Sequence, residues 1–379
     1  MDLLRYYQDL EKYIEPGKAL VIFGPRRVGK TTLIHHLISK TKYRYKLDSG
    51  ENIETQQILG SQNFDKIFKY VGNNEMIVID EAQHIPNIGM GLKIIVDHRP
   101  EVRVVVTGSA SFELAGQIGE PLTGRKRTLT LFPVAQQELL NHPYTPHEMK
   151  QQISDWLVFG GYPEVVTTKD PQKKSELLRE MVSSYLFKDI LTFENVKNSK
   201  VLSDLLRLIA FQIGNEVSLT ELGNQLQIDY KTIARYLDLF EKSYILYNLR
   251  GFSRNLRKEV TKKSKYYFYD IGIRNAVIFN LNPLEVRNDA GALWENFLVM
   301  ERLKKQEYTK LYSNNYFWRT WDGQGVDWVE EREGKALGYE FTFSDKQAKK
   351  KKEPKDWKKA WSDTSYEVVT LENYLDFVT

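Results

Sequence analysis

The stretch "KALVIFGPRRVGKTTLIHHLISK", residues 18–40, contains the strongest structural signal in the sequence. Its apolar start predicts a strand, a turn begins at Gly24, and apolar side chains return at helical spacing after Gly29. A glycine, four residues and then Gly-Lys-Thr, placed between a strand and a helix, form the pattern of a phosphate-binding loop. We therefore expect nucleotide contacts from the whole loop: Gly24, Pro25, Arg26, Arg27, Val28, Gly29, Lys30, Thr31 and Thr32.

The chemistry of such a loop assigns roles to individual side chains. Backbone N–H groups at the helix N-terminus would surround the β-phosphate. Lys30 would reach the β- and γ-phosphates, and the Thr31 hydroxyl would bind Mg²⁺. The histidine pair that follows in the helix lacks the spacing of metal ligands.

A second apolar run, "EMIVIDEAQHIP" at residues 75–86, predicts a buried strand that ends in two acids. We expect Asp80 to hold Mg²⁺ through water and Glu81 to polarise the water that attacks the γ-phosphate. An acid pair at a strand end can also be merely solvated. Its position after a phosphate-binding loop favours the catalytic interpretation.

A third apolar run, residues 102–116, ends at Thr107-Gly108-Ser109. A hydroxyl there could contact the γ-phosphate or the attacking water, and Ser109 is narrowly preferred over Thr107. Both residues could instead serve only as turn formers. Strands that alternate with helices, with polar groups at their carboxyl ends, predict a parallel three-layer α/β sheet.

Length and composition limit the remaining possibilities. A chain of 379 residues exceeds what one hydrophobic core usually serves, so we expect two or three domains. The formal net charge of +4 is too small to indicate nucleic-acid binding by itself. The lack of cysteine excludes disulfides and cysteine-ligated zinc. No apolar run approaches the roughly 18 residues of a membrane helix, so we expect no membrane association and an intracellular, cytoplasmic protein.

The middle of the chain is typical of a winged helix-turn-helix. After a helical stretch, "EVSLTELGNQLQIDYKTIARYLDLFEKSYILYNLRG" at residues 216–251 has helix-turn-helix spacing, and a hairpin follows. Basic residues on the second helix and the wing suit the phosphates of duplex DNA. Alternatively, the module contacts a protein and its charges are solvated. The DNA-binding candidates are Lys231, Thr232, Arg235, Arg257 and Lys258.

Together these segments resemble a P-loop ATPase family related to AAA+ proteins, in which the ATPase is joined to a domain of unknown function with a restriction-endonuclease-like end. The resemblance runs through "GPRRVGKTT", "MIVIDEAQ", "VVVTGS", "GRKRTLTLFPVAQQEL", "FGGYPEVV", "YLFKDI" and "YYFYDIGIRNA". It implies ATP as the nucleotide and cytoplasmic residence. Arg125 falls at the family's Gly-Arg element and is a candidate transition-state cation. A solvated basic hairpin with Lys126 and Arg127 is an equal alternative.

The tail resembles the PD-(D/E)XK nuclease fold. The resemblance maps the metal-binding acids of that fold to Glu295, Asp327 and Glu340. The stretch "GYEFTFSD", residues 338–345, puts Thr342 where the fold has its catalytic lysine. We therefore expect a nuclease-like remnant without cleavage activity, although Lys346 or Lys335 could replace the missing lysine.

The sequence thus predicts an α/β protein of four parts: a P-loop ATPase at 1–150, a helical lid or linker at 151–214, a winged helix at 215–280 and a nuclease-like domain at 281–379. The leading hypothesis is Mg²⁺-dependent ATP hydrolysis coupled to a winged helix and tail that contact DNA or a partner. One alternative is an ATP-dependent switch or interaction protein, with little intrinsic hydrolysis, that self-associates or binds a protein. A second alternative is an ATP-regulated, metal-dependent nuclease.

Overall fold

The structure is a computed structural model of the chain. It describes residues 3–109, 118, 121–140, 142–184, 186, 199–252, 264–320, 323–360 and 364–379, apart from the side chains at positions 345, 347 and 360. The candidates Arg257 and Lys258 therefore lie outside the described residues.

The N-terminal part is built on a five-stranded, fully parallel sheet with the order β2-β3-β4-β1-β5. Its strands are β1 (Ala19–Phe23), β2 (Tyr45–Ser49), β3 (Met76–Asp80), β4 (Arg103–Thr107) and β5 (Lys126–Thr130). The helices between them are α1 (Lys30–Lys40), α2 (Ile53–Leu59), α3 (Phe64–Val71) and α4 (Ile88–His98).

Both faces of this sheet are covered. Successive side chains of β1 point to opposite faces, so Leu20 and Ile22 pack in one hydrophobic core and Val21 and Phe23 in another. A parallel sheet buried on both faces explains why its strands are continuous apolar runs rather than alternating ones. The predicted α/β arrangement is confirmed, and the phosphate-binding loop, Asp80 and Thr107 meet at the carboxyl edge of the sheet.

A helical segment follows the sheet. Its helices are α5 (Gln136–Leu139), α6 (Pro146–Gln151), α7 (Ile153–Phe159), α8 (Pro163–Thr167), α9 (Pro171–Ser184) and α10 (Ser199–Phe211). The apolar sides of α7, α9 and α10 pack in the same core as Leu20 and Ile22. The segment therefore shares a hydrophobic core with one face of the sheet and is not a free linker.

The remaining strands form one mixed, seven-stranded sheet with the order β12-β11-β10-β9-β7-β8-β6. The strands are β6 (Glu216–Val217), β7 (Leu246–Gly251), β8 (Ser264–Phe268), β9 (Asn314–Arg319), β10 (Gly325–Arg332), β11 (Lys335–Phe341) and β12 (Thr364–Val369). The boundary that we expected at residue 280 divides this sheet, because β7 pairs in parallel with β9. That pairing supplies partners for backbone groups that an isolated wing would expose at its edge.

Helices cover this sheet and join it to the first part. They are α11 (Leu219–Leu226), α12 (Tyr230–Lys242), α13 (Ile271–Val277), α14 (Ala290–Thr309), α15 (Asp345–Ala348), α16 (Lys355–Ala360) and α17 (Tyr374–Val378). The long helix α14 packs in the core that also contains Leu129 and Leu131 from the first part. None of the helices in the described ranges has the length and apolar character needed to cross a membrane.

A buried ion pair stabilises the C-terminal part. Arg302 of α14 donates to both carboxylate oxygens of Glu330 on β10, at 2.5 and 2.9 Å, and to the Phe377 carbonyl oxygen at 2.6 Å. Arg302 and Glu330 are 4% and 0% exposed. Removal of Arg302 would leave the buried Glu330 charge with a longer contact to Arg332, at 3.7 Å, and neutral hydrogen bonds from Gln306 and Trp328, which compensate it poorly.

We expect Arg302→Met to lower the free energy of unfolding by about 3–5 kcal/mol, measured by urea denaturation. The control is Lys310→Met, which breaks the exposed pair between Lys310 and Glu307 and should change stability little. Equal effects of the two variants would contradict the role given to the buried pair.

Candidate functional site

The phosphate-binding loop depends on glycine at two positions. Gly24 has φ 149°, and a Cβ atom there would clash with the carbonyl oxygen of Leu131, which follows β5. Gly29 has φ 98°, in the region that favours glycine. Between them Arg27 adopts φ 62°. These conformations fold the loop tightly between β1 and α1.

Lys30 lies inside this loop and is 4% exposed. Its ammonium group donates to the carbonyl oxygens of Gly24 at 2.8 Å and Pro25 at 2.9 Å. These hydrogen bonds hold the ammonium group inside the loop. The phosphates of a bound nucleotide would replace the two carbonyl oxygens as its acceptors. This position agrees with a role on the β- and γ-phosphates.

The oxygen ligands expected for Mg²⁺ lie together at the start of α1. The Thr31 hydroxyl donates to Asp80 Oδ2 at 2.7 Å, which brings together a hydroxyl oxygen and a carboxylate oxygen from α1 and β3. Mg²⁺ prefers hard oxygen ligands and keeps several waters and phosphate oxygens. The residues present therefore fit the ion that the sequence predicts.

Thr107, not Ser109, contacts the two acids. The Thr107 hydroxyl donates to Asp80 Oδ1 and accepts a hydrogen bond from the Glu81 backbone N–H at 3.1 Å. Ser109 is buried, and its N–H donates to Gln83 Oε1 at 3.3 Å. The narrow preference for Ser109 overlooked that the last residue of β4 stands beside the end of β3. A catalytic role for Ser109 stays a prediction.

Glu81 follows β3 in the left-handed conformation, with φ 52°. Its carboxylate accepts a hydrogen bond from the Gln83 side chain. A Cβ atom at Gly50, after the neighbouring strand β2, would clash with the Glu81 carbonyl oxygen. The backbone of Glu81 is thus fixed by close packing, while its side chain is held beside the sheet edge by Gln83.

Arg125 lies at the amino ends of the strands, whereas the phosphate-binding loop lies at their carboxyl ends. It is therefore far from the nucleotide site of its own chain. It precedes β5, and its carbonyl oxygen accepts from Ala19 N–H at the start of β1. The phosphate-binding loop begins after the end of β1, roughly 16 Å away for five strand residues. The Arg125 side chain pairs with Asp97 of α4. The strand β5 also replaces the basic hairpin that was the alternative.

The tip of the loop faces the helical segment. Arg27 donates to Glu180 of α9 at 2.9 Å. Residues 25–27 form one wall of a pocket, and Tyr162 and Tyr244 contribute to its other side. A nucleotide bound in the loop would therefore be next to residues from beyond the first sheet.

The helix-turn-helix segment contains two helices at the predicted positions, α11 and α12. Ile233, Leu237 and Phe240 of α12 are buried as expected. Lys231 and Arg235 are exposed on the opposite side of α12, and Thr232 is half-buried. This face carries the described part of the candidate DNA surface.

The three acids of the tail line a single pocket of about 390 Å³. Glu295 comes from α14, Asp327 from β10 and Glu340 from β11. Lys265 of β8 lies 3.0 Å from Glu295 Oε1 and 3.9 Å from Asp327 Oδ1. Lys351 pairs with Glu340. The lysine that contacts the third acid is thus neither Lys346 nor Lys335, both of which are exposed.

Burial makes charge costly in this pocket. Burial, and then the Asp327 carboxylate, raises the pKa of Glu340 to about 7. The same two causes raise the pKa of Glu295. Glu340 Oε2 is buried without a hydrogen-bond partner. In the described part of the chain, no three acidic or histidine side chains are grouped so that they could hold a metal ion.

Comparison with known families divides the chain into three regions. Residues 16–140 match the model described as an AAA domain. The N-terminal region is an AAA domain of the P-loop ATPase class. Residues 150–285 match a domain of unknown function (DUF8612), and residues 290–375 match another (DUF4143).

The curated relatives are themselves uncharacterised. One from Methanocaldococcus jannaschii is 25% identical, over 96% of this chain and 83% of its own length. One from Mycobacterium tuberculosis is 26% identical, over 88% of this chain and 72% of its own length. Among solved structures, a single-residue variant of RuvB from Thermotoga maritima matches with a TM-score of 0.28 and 16% identity, over 61% of this chain and 81% of that chain.

Sequence reasoning missed several side chains at both sites. Lys265 and Lys351 reach the acids from separate elements, and neither has a local motif. Arg5 reaches the AAA domain loop from the N-terminal segment, where it donates to the Val28 carbonyl oxygen. Thr107 was the named alternative to Ser109, and the signal that favours it is its position as the last residue of an apolar strand that follows the Asp80 strand.

We expect Thr107→Val to lower nucleotide turnover by about 10-fold to 100-fold, because it removes a hydrogen bond to a charged group with little change in volume. Ser109→Ala should lower turnover less. Steady-state rates of both purified variants would decide between the two hydroxyls, and the reverse order would restore Ser109 as the catalytic group.

Proposed function

We propose that this protein is a Mg²⁺-dependent ATPase whose AAA domain acts on a C-terminal part that contacts duplex DNA or a protein partner. The observation that carries the proposal is the meeting of Lys30, Thr31, Asp80 and Glu81 at one edge of the sheet. In hydrolysis, Lys30 would neutralise the phosphates, and Thr31 and Asp80 would hold Mg²⁺, which would supply positive charge to the phosphate oxygens. Glu81 orients the attacking water.

The transition-state cation is assigned in trans. Arg125 stands at the far edge of its own sheet, so in this proposal it acts only on the nucleotide of another copy of the chain. An arginine finger contributes about 10³ to 10⁵ in rate when it is aimed at the γ-phosphate. The isolated chain would then bind ATP and hydrolyse it slowly, which is the switch alternative. The ATPase hypothesis therefore requires self-association for rapid hydrolysis, whereas the switch hypothesis does not.

The DNA assignment rests on the exposed basic residues of α12. In this proposal α12 is the recognition helix, and its exposed face with Lys231 and Arg235 would enter the major groove. Arg257 and Lys258, which lie outside the described residues, stay candidates on the sequence alone. A protein partner on the same face is the alternative, and a steep decrease in affinity with salt would favour DNA.

Glu81→Gln should keep ATP affinity and lose roughly 10² or more in turnover, because a water-orienting group acts in the transition state. Binding is measured with a fluorescent ATP analogue, and turnover by phosphate release. The reference variant is Lys30→Ala, which should lose affinity as well as rate. Wild-type turnover in Lys30→Ala would remove the ATPase assignment.

The same assay, run across protein concentration with and without duplex DNA, tests the arrangement in trans. We expect specific activity to rise with concentration. A low hydrolysis rate that changes with neither protein concentration nor DNA would favour the ATP-dependent switch.

For the tail, we propose a docking role rather than cleavage. Each lysine of the pocket donates to an acid, and the position two residues after Glu340 holds Thr342 instead of a lysine. Charges that neutralise each other are poorly placed to activate a hydroxide or to compensate the charge of a cleaved phosphate.

We therefore expect no appreciable cleavage of duplex DNA by the full chain with Mg²⁺ or Mn²⁺, assayed on gels with ATP and without it. The contrary outcome would be cleavage that Asp327→Ala and Glu340→Ala both abolish. Loss of that cleavage in Lys351→Met would then assign the catalytic cation to Lys351.

A further inference from the structure

A buried cation stands behind the phosphate-binding loop. Arg5 is 8% exposed, and each nitrogen of its guanidinium has an acceptor. Nη1 donates to the Val28 carbonyl oxygen at 2.5 Å, Nη2 to the Phe132 carbonyl oxygen at 2.6 Å, and Nε to Glu138 Oε1 at 3.0 Å. One side chain thus joins the loop, the end of β5 and the helix α5.

We infer that Arg5 is a positioning residue that sets the direction of the Gly29 N–H for the nucleotide phosphates. This inference rests on the proposed nucleotide function of the loop. The peptide group between Val28 and Gly29 is planar and trans, so its C=O and N–H point in opposite directions. When Arg5 holds the C=O, the N–H is turned away from Arg5, and in this inference it faces the phosphates inside the loop.

The contact matters because Gly29 itself restrains this peptide very little. Gly29 adopts φ 98°, and glycine is the residue with the widest choice of conformations. A hydrogen bond from a charged donor is roughly twice as strong as a neutral one. Arg5 therefore restricts the loop to one arrangement before a ligand arrives, which lowers the cost of ordering it on binding.

The position of Arg5 is itself controlled by the C-terminal part. Glu138, which holds Arg5, also accepts from the Tyr6 and Ala135 N–H groups at 2.6 and 2.8 Å. The Tyr6 ring stacks on Tyr308 of α14, with ring centroids 4.7 Å apart. A shift of α14 would therefore loosen Arg5, so the proposal includes a route by which the C-terminal part regulates nucleotide affinity.

The test compares Arg5→Lys with Arg127→Lys in the full chain. Lysine keeps a cation beside Glu138 but lacks the fork that reaches three acceptors. Arg127 lies near the amino edge of the sheet, pairs with Glu15 and stacks over Tyr13, so the same substitution there is the matched control. Hydrogen exchange is followed on residues 24–33 without nucleotide, and KM and kcat are measured with MgATP.

We expect Arg5→Lys to accelerate exchange in residues 24–33 by about 10-fold and to raise KM about 10-fold with kcat within about threefold, because the contact serves bound substrate and transition state alike. Arg127→Lys should do neither. Unchanged hydrogen exchange in Arg5→Lys would overturn the inference. A lower kcat with unchanged KM would also overturn it, because that result indicates only a smaller amount of folded protein. If the wild-type chain binds no ATP but Arg5→Lys still accelerates hydrogen exchange, the proposed function is refuted, while the ordering of the loop by Arg5 stands.

Discussion

The buried N–H groups at the start of α5 need hydrogen-bond acceptors, and one of these acceptors joins the N-terminal part of the chain to the C-terminal part. Ala135 N–H donates to Glu138 Oε2 within the helix, and Gln136 N–H donates to Glu301 Oε2 of α14 at 2.7 Å. A helix start buried without such partners would be strongly unfavourable. Because Glu301 comes from the far end of the sequence, the AAA domain completes its own helix only when the C-terminal part is docked.

This constraint makes α14 the mechanical link between the two sites. The helix carries Glu295 in the acidic pocket, Glu301 on α5 and Tyr308 beside Phe132, whose N–H donates to the tyrosine hydroxyl at 3.3 Å. From Glu295 to Tyr308 is about 20 Å along a rigid helix. A ligand that moves one end must therefore move the other or break buried hydrogen bonds. In the proposed function, this helix would couple the nucleotide site to the surface that contacts a partner.

Local signals made part of the structure predictable. The loop from Gly24 to Thr31 and the strand that ends at Asp80 were found because a turn, a helix start and an apolar run are all encoded within a few residues. The pairing of β7 with β9 was not predictable, since nothing near residue 250 indicates a partner near residue 316. Arg5 and Lys265 were missed for the same reason, because their acceptors are distant in sequence and become neighbours only in the folded chain.

The acidic pocket shows why a motif and a site are different things. The sequence lacks a lysine beside Glu340, yet the fold brings Lys351 to that acid and Lys265 to Glu295. The ammonium groups are present, but each is directed at a carboxylate, so a ligand that recruits one must first break an ion pair in a buried site. The docking role that we propose for the tail agrees with this cost, because a large partner could replace both ion pairs at once with its own charged groups.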